Sequence, residues 1–210
     1  MQSDPTPQAP APDIHRGRLQ RAPDADGYRV ATFADVMRRH GFTMALLATL
    51  CLLVPGAWGL LEATTARAVG QPLPYLAGLA AMLLFFAWWS VRRRGRGIRQ
   101  VQWIAYLLMI SVVEEITFRL VFPTLLANAL PLPAAHIISN LAFAVIHYFT
   151  LRWRLGNCVG TFLGGMGLSH VMEQGDLVLV ILVHWIGTFL NTPLPPSESS
   201  AGPARQSPGE

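Results

Sequence analysis

Six long apolar blocks dominate the chain between residues 41 and 192. They occupy 41–61, 73–91, 101–126, 134–150, 156–172 and 177–192. Such continuous blocks differ from the short alternating runs of a half-buried sheet and are typical of helices that cross a bilayer. The pattern therefore predicts an all-α fold, a polytopic membrane helix bundle with about six transmembrane helices.

The segments outside these blocks are polar and rich in proline. Residues 1–36 and 193–210 cannot bury enough apolar surface to fold alone, which predicts a disordered tail at each end. One membrane domain remains between them, at 37–192. Where the first tail ends, residues 33–39 combine apolar side chains with two arginines and are predicted to form a short interfacial helix.

All of the net positive charge comes from arginine, because the sequence contains no lysine. The arginines cluster before the first block, between the second and third, and after the fourth. Arginine concentrates in cytoplasmic loops, so this alternation predicts both termini in the cytoplasm and argues against a nucleic-acid partner. The arginine- and alanine-rich composition favours a bacterial inner membrane. The absence of lysine also excludes a serine–lysine dyad and a lysine Schiff base.

Ionisable groups cluster in the third block, which contains Glu114, Glu115 and Arg119. Charged side chains are costly inside a bilayer, so they indicate a functional site by default. Glu115 and Arg119 are four residues apart on one helix face and are expected to pair, which leaves Glu114 without a local partner. The alternative is a structural charge cluster that holds helices together.

Two other blocks carry polar stripes at helical spacing. The first stripe is His136, Asn140, Phe143 and His147, and the second is His184, Thr188 and Asn191. A lone histidine on a helix is more often a packing residue than a catalytic one. Histidines on two helices, together with an unpaired glutamate on a third, instead favour a hydrolytic site.

Three motifs carry a resemblance to a known family. Glu114 to Arg119 matches Glu-Glu-x-x-x-Arg, Phe143 to His147 matches Phe-x-x-x-His, and His184 follows in the last apolar block. In this order they resemble the CPBP family of intramembrane proteases, which includes the type II CAAX prenyl endopeptidases. The resemblance covers the motif-bearing core, 101–192, of a protease domain at 37–192.

The resemblance implies a peptidase that acts on a membrane-associated protein or peptide within the lipid bilayer. Glu114 would activate a water with the help of His147, while Glu115 and Arg119 support the site. His184 would stabilise the developing oxyanion.

The family usually places an asparagine four residues after that last histidine, and this sequence has Thr188 there. Asn191, one turn further on, is the alternative donor. Asn140 and Phe143 complete the supporting residues.

No cofactor is expected, and zinc is the alternative, held by Glu114, His147 and His184. The metal-free mechanism is favoured because the sequence lacks the His-Glu-x-x-His spacing that places two ligands on one helix face. Two other functions stay open: a non-catalytic scaffold or immunity-type protein, and a small transporter that uses the same groups as a proton relay.

The fifth block contains small residues and one further motif. Residues 167–170 read Gly-Leu-Ser-His, which allows a serine enzyme, although such runs are common by chance in membrane helices. Close packing of this helix explains its glycines better. The glycines concerned are Gly156, Gly160, Gly164, Gly165 and Gly167.

Overall fold

The computed structural model describes residues 32–92 and 97–196, which form seven helices and no strand. The helices are α1 (Phe33–Leu52), α2 (Ala57–Gly70), α3 (Pro72–Arg92), α4 (98–127), α5 (Leu132–Thr150), α6 (Leu155–Gln174) and α7 (Leu177–Asn191). The predicted all-α membrane bundle is confirmed. Most of the two predicted tails, 1–31 and 197–210, lies outside the described residues.

The first helix begins inside the segment that was predicted to be a tail. Thr32 caps it, because its hydroxyl accepts from the Asp35 amide and the Asp35 carboxylate accepts from the Thr32 amide. Val36 is only 2% exposed. Residues 33–39 are therefore helical, as predicted, and they continue directly into the first apolar block and pack on the core; their position at a membrane interface stays a prediction.

The first predicted span, 41–61, is broken. Pro55 and Gly56 separate α1 from α2, and the two helices meet at an angle of 102°. Proline lacks the amide that continues a helix, and Gly56 takes a left-handed conformation with φ of 85°. The prediction of one helix over this block was wrong, and its Pro-Gly pair was the sequence signal for the break.

Two helices are long and apolar enough to cross a membrane by themselves, Pro72–Arg92 and Leu132–Thr150. The bent pair of α1 and α2 would add a third, and Leu177–Asn191 is apolar but shorter. The count of about six spans therefore stays a prediction. Large apolar side chains such as Leu84, Phe149 and Leu163 are exposed on the outer surface, as a lipid-facing bundle requires.

Helix α4 lies at the centre of the bundle. It packs against α1, α5 and α7, while α6 packs against α5 and α7. The main core is aromatic and includes Phe86, Trp103, Phe143, Trp185 and Phe189. Both α1 and α4 contain a π-helical turn, at Met37–Gly41 and Ile116–Val121. A π-turn inserts one residue and rotates the following helix face by about 100°, and such turns are frequent at functional sites.

The start of the predicted C-terminal tail is bound to α4. The Gln100 side-chain amide donates to the Pro193 carbonyl at 2.8 Å, and the Trp103 indole donates to the Thr192 carbonyl at 2.7 Å. The chain after α7 is therefore ordered along α4 as far as residue 196.

Candidate active site

Glu114 lies at the end of the α-helical part of α4 and is 2% exposed. Three imidazoles from three other helices direct their Nε2 atoms at its carboxylate. Nε2 of His40 is 2.9 Å and Nε2 of His147 is 3.4 Å from Oε1, and Nε2 of His184 is 3.6 Å from Oε2. We call these four residues the central cluster. It unites the predicted Glu114, His147 and His184.

The rings of His147 and His184 are held by oxygens on their outer sides. His147 donates from Nδ1 to the Phe143 carbonyl at 2.7 Å, and His184 donates from Nδ1 to Oε1 of Glu115 at 2.5 Å. A carbonyl or a carboxylate can only accept, so Nδ1 carries the proton in both rings. This arrangement turns both Nε2 atoms toward Glu114.

The sequence interpretation missed His40, because it grouped this residue with the neighbouring arginines as a membrane-boundary cluster. In the structure His40 is 3% exposed and lies in the π-helical turn of α1. A signal was present, since Val36, His40, Met44 and Ala48 recur every four residues and all four are buried. A histidine inside an apolar stripe of this kind indicates an inward-facing group.

Glu115 and Arg119 form the pair that their spacing indicates. Nε of Arg119 is 3.4 Å from Oε2 of Glu115, and both side chains are fully buried. The guanidinium carbon also lies 4.0 Å from the centre of the Phe143 ring. Two carboxylates and one guanidinium are thus enclosed together, and the arginine offsets part of their negative charge.

Asn140 joins α5 to α6 beside this pair. Its amide nitrogen donates to Oγ of Ser169 and to the His136 carbonyl, both at 2.8 Å. A Cβ at Gly165 would overlap the Asn140 side-chain oxygen and lie 2.8 Å from Nη2 of Arg119. Gly165 therefore allows the close approach of α6 that buries Arg119.

The structure does not bring together the serine and histidine of the Gly-Leu-Ser-His run. Ser169 is 3% exposed and accepts the bond from Asn140, whereas His170 is 69% exposed and lies near Glu173. These adjacent residues point to different sides of α6 and cannot act as a catalytic pair.

A cavity of about 480 Å³ opens beside the central cluster and is lined by all four of its residues. Helix α4 contributes an apolar wall with Trp103, Tyr106, Leu107 and Ile110. The Tyr106 side chain is 6% exposed, and its hydroxyl has no hydrogen-bond partner among the described residues. The cavity therefore combines an apolar wall, one unpaired hydroxyl and the carboxylate with its imidazoles.

Glycines of α6 also line the cavity, and their surroundings contradict the packing prediction for this helix. A Cβ at Gly156, Gly160, Gly164 or Gly167 would meet no atom within 4 Å, so close packing was a wrong explanation for these four. Gly165 alone of the five predicted positions has close neighbours. The first three line the cavity, together with Gly187 of α7, and add no side chain to it.

Residues 96–190 match the family model described as type II CAAX prenyl endopeptidase Rce1-like. This segment is therefore similar to Rce1-like domains. The resemblance inferred from the three motifs is confirmed, and the match contains Glu114, His147 and His184. It covers just under half of the chain and leaves out α1, and with it His40. Searches among curated proteins and solved structures found no match.

Both candidate oxyanion donors of α7, Thr188 and Asn191, line the cavity. Thr188, which stands where an asparagine was expected, donates its only hydroxyl proton to the His184 carbonyl at 2.9 Å. Its hydroxyl is therefore occupied by its own helix. Asn191, one turn further along, also lines the cavity.

The residues of the site also fit a divalent metal. Donor atoms of His40, Glu114 and His147 all lie within 4.8 Å of one another. Imidazole nitrogen and carboxylate oxygen are ordinary zinc ligands. This set contains His40 in place of His184 of the predicted alternative, which was Glu114, His147 and His184.

Proposed function

We propose that this protein is an intramembrane endopeptidase that hydrolyses peptide bonds of membrane-associated proteins or peptides with a water activated by Glu114 and His147. The observation that carries the proposal is the convergence of His147 and His184 on Glu114 beside a cavity of about 480 Å³. The match to the Rce1-like family model supports the same reaction, because that model is described as an endopeptidase.

The first step is the attack of a water on the substrate carbonyl. The water contacts both the Glu114 carboxylate and Nε2 of His147 from the cavity, and its proton moves to the Glu114 carboxylate as the new carbon–oxygen bond forms. General-base catalysis of this kind contributes about 10²- to 10⁴-fold. Nδ1 of His147 stays bound to the Phe143 carbonyl, so the ring keeps one orientation.

The second step is the collapse of the tetrahedral intermediate. The doubly protonated form of His184 donates from Nε2 to the oxyanion while Nδ1 remains on Glu115. Asn191 is the second donor, since the Thr188 proton is already used. Glu114 then returns its proton to the departing nitrogen as the carbon–nitrogen bond breaks. A donor aimed at an oxyanion is worth about 3 kcal/mol.

The substrate chain enters along the glycine wall of α6. Main-chain atoms can approach closely where Gly156, Gly160 and Gly164 have no side chains, and the apolar residues of α4 line the same cavity. We place this end of the bundle and both termini in the cytoplasm, because arginines border it at Arg39 and Arg154.

A zinc-dependent version of the reaction would use His40, Glu114 and His147 as ligands. Bound zinc would polarise the carbonyl and acidify the water. We favour the metal-free reaction, since His40 and His147 come from different helices and not from a His-Glu-x-x-His helix.

The decisive experiment compares membrane-protein C-termini in cells that carry the intact protein with those in cells that carry Glu114→Gln. Glutamine keeps the shape of the side chain and cannot accept the proton, so the cleaved C-termini should disappear. Glu173→Gln, at a half-exposed glutamate outside the cavity, is the matched control and should leave them unchanged. Identical C-termini with and without the Glu114 carboxylate would instead support a non-catalytic scaffold.

A further inference from the structure

The central cluster contains one imidazole that lies outside the family-matched segment. We propose that His40 is a positioning residue that holds the Glu114 carboxylate for the hydrolysis, and that Thr150 holds His40 in turn. This inference rests on the proposed function and adds to it a role for α1 and for the end of α5.

His40 is the nearest partner of Glu114. Its Nε2 is 2.9 Å from Oε1 and forms a hydrogen bond there, while the other two imidazoles lie 3.4 Å and 3.6 Å away. A hydrogen bond at this distance holds one proton between the nitrogen and the oxygen. With Oε1 engaged, rotation of the carboxylate is restricted, so that Oε1 stays beside Nε2 of His147 and Oε2 stays directed toward His184.

Thr150 holds the side of the His40 ring that faces away from Glu114. The Thr150 hydroxyl donates to the Ile146 carbonyl at 2.7 Å, which uses its only proton. With that proton used, its oxygen can accept from Nδ1 of His40, at 2.8 Å. The ring is consequently held with Nδ1 on Thr150 and with Nε2 on Glu114.

Helix α1 packs closely against α4 and α5 beside His40. A Cβ at Gly41 would lie 3.1 Å from Cε2 of Tyr106, so the neighbouring glycine lets α1 approach α4. Arg39 also donates from Nη2 to the Phe149 carbonyl at 3.1 Å. Two consecutive residues of the π-helical turn thus bind two consecutive residues at the end of α5.

The kinetic test uses the full chain in proteoliposomes with a prenylated, internally quenched peptide that ends in a CAAX sequence. His40→Leu should lower kcat about 10²-fold with KM within about twofold, because misplacing a catalytic group has an effect of this size. His40→Gln should recover about tenfold, since its amide can still donate to Oε1. Thr150→Val should lower kcat, whereas Thr150→Ser should keep the wild-type kcat, because serine retains the hydroxyl.

The matched control is His136→Leu on α5, which removes a histidine outside the cavity and should leave kcat unchanged. Wild-type kcat in both His40→Leu and Thr150→Val would overturn the inference. Thr150→Val removes no charge and keeps the side-chain shape, so it remains informative if His40→Leu does not fold.

A second readout needs no cleavage. In ¹⁵N-histidine NMR, the ring signals of His40 are identified by their loss in His40→Gln. They should shift in Thr150→Val and in Glu114→Gln but not in His136→Leu. Unchanged signals in the first two variants would show that His40 is held by neither residue. Full cleavage by the Glu114→Gln variant would instead refute the peptidase mechanism. The NMR shifts would still test whether His40 is bound to Thr150 and Glu114.

Discussion

Helix α5 carries two histidines about three turns apart, and each belongs to a group of histidine and glutamate side chains. His147 belongs to the central cluster. His136 lies 3.0 Å from Oε1 of Glu173, whose Oε2 is 3.8 Å from Nδ1 of His170. We call this second group the outer cluster. The two clusters use the same residue types and differ in enclosure, because Glu114 is 2% and Glu173 is 45% exposed.

This difference shows what makes the central cluster a candidate site. The outer cluster joins two adjacent helices at the surface, where water screens charges and an ion pair contributes at most about 1 kcal/mol. The central cluster draws one side chain from each of four helices into a space shielded from solvent. There, every polar group needs a partner, and hydrogen bonds and charges act with much greater strength.

The largest expected difference is in activity, between alanine substitutions at the two histidines of α5. His147→Ala should lower kcat about 10³-fold, because it removes a ring that orients the water. His136→Ala should change kcat by less than about twofold. Cleavage of the quenched CAAX peptide in proteoliposomes measures both. Equal losses would mean that both histidines serve only the packing of α5.

The next difference is in stability, between a buried and an exposed charge partner. Arg119→Met leaves two buried carboxylates without their cation and should lower the free energy of unfolding by about 3 to 5 kcal/mol. Glu173→Gln should lower it by less than about 1 kcal/mol. Denaturant titration in detergent gives both values. Wild-type stability in Arg119→Met would contradict the role assigned to the Glu115 pair.

A smaller difference in kcat/KM is expected between leucine substitutions at two glycines of α6. Gly160 lines the cavity and Gly167 does not, yet a Cβ at either position would meet no atom within 4 Å. Gly160→Leu should lower kcat/KM by about tenfold because it narrows the substrate path, whereas Gly167→Leu should leave it unchanged. Both variants should gain about 1 kcal/mol of stability, since glycine is a poor helix former.

Two results would contradict this prediction. Equal kcat/KM in the two leucine variants would show that the glycine wall does not contact the substrate. A loss of folding in Gly160→Leu, measured by thermal unfolding, would show that this wall is packed against another part of the chain.

The smallest expected effect is that of metal removal. If the central cluster works without a metal, a strong chelator should change kcat by less than about twofold. Loss of activity that zinc restores would favour the metal-dependent version and assign His40 a different role. The outer cluster provides the comparison, because His136→Ala should not alter the response to the chelator.

Several parts of this molecule could be predicted from residue patterns. The apolar blocks predicted the helices, and the stripe on α5 predicted the inward face that holds Asn140, Phe143 and His147. The four-residue spacing of Glu115 and Arg119 predicted their pair. These features depend on contacts within one helix turn, where the geometry is the same in every protein.

Other parts required contacts between distant segments. His40 and Glu114 are 74 residues apart, and the angle at which α1 crosses α4 decides whether they meet. The glycines of α6 were equally ambiguous, since a glycine can admit a neighbouring helix, as Gly165 does, or border a cavity, as Gly160 does.

By itself, the sequence determined the helical membrane fold, the polar faces of α5 and α7 and three of the four residues around the candidate reaction centre. The tertiary structure decided the fourth residue, the oxygens that orient each imidazole, and the cavity behind the glycines. Side-chain spacing repeats along a helix and can be read locally. The packing of one helix on another depends on every side chain between them, and no local pattern contains it.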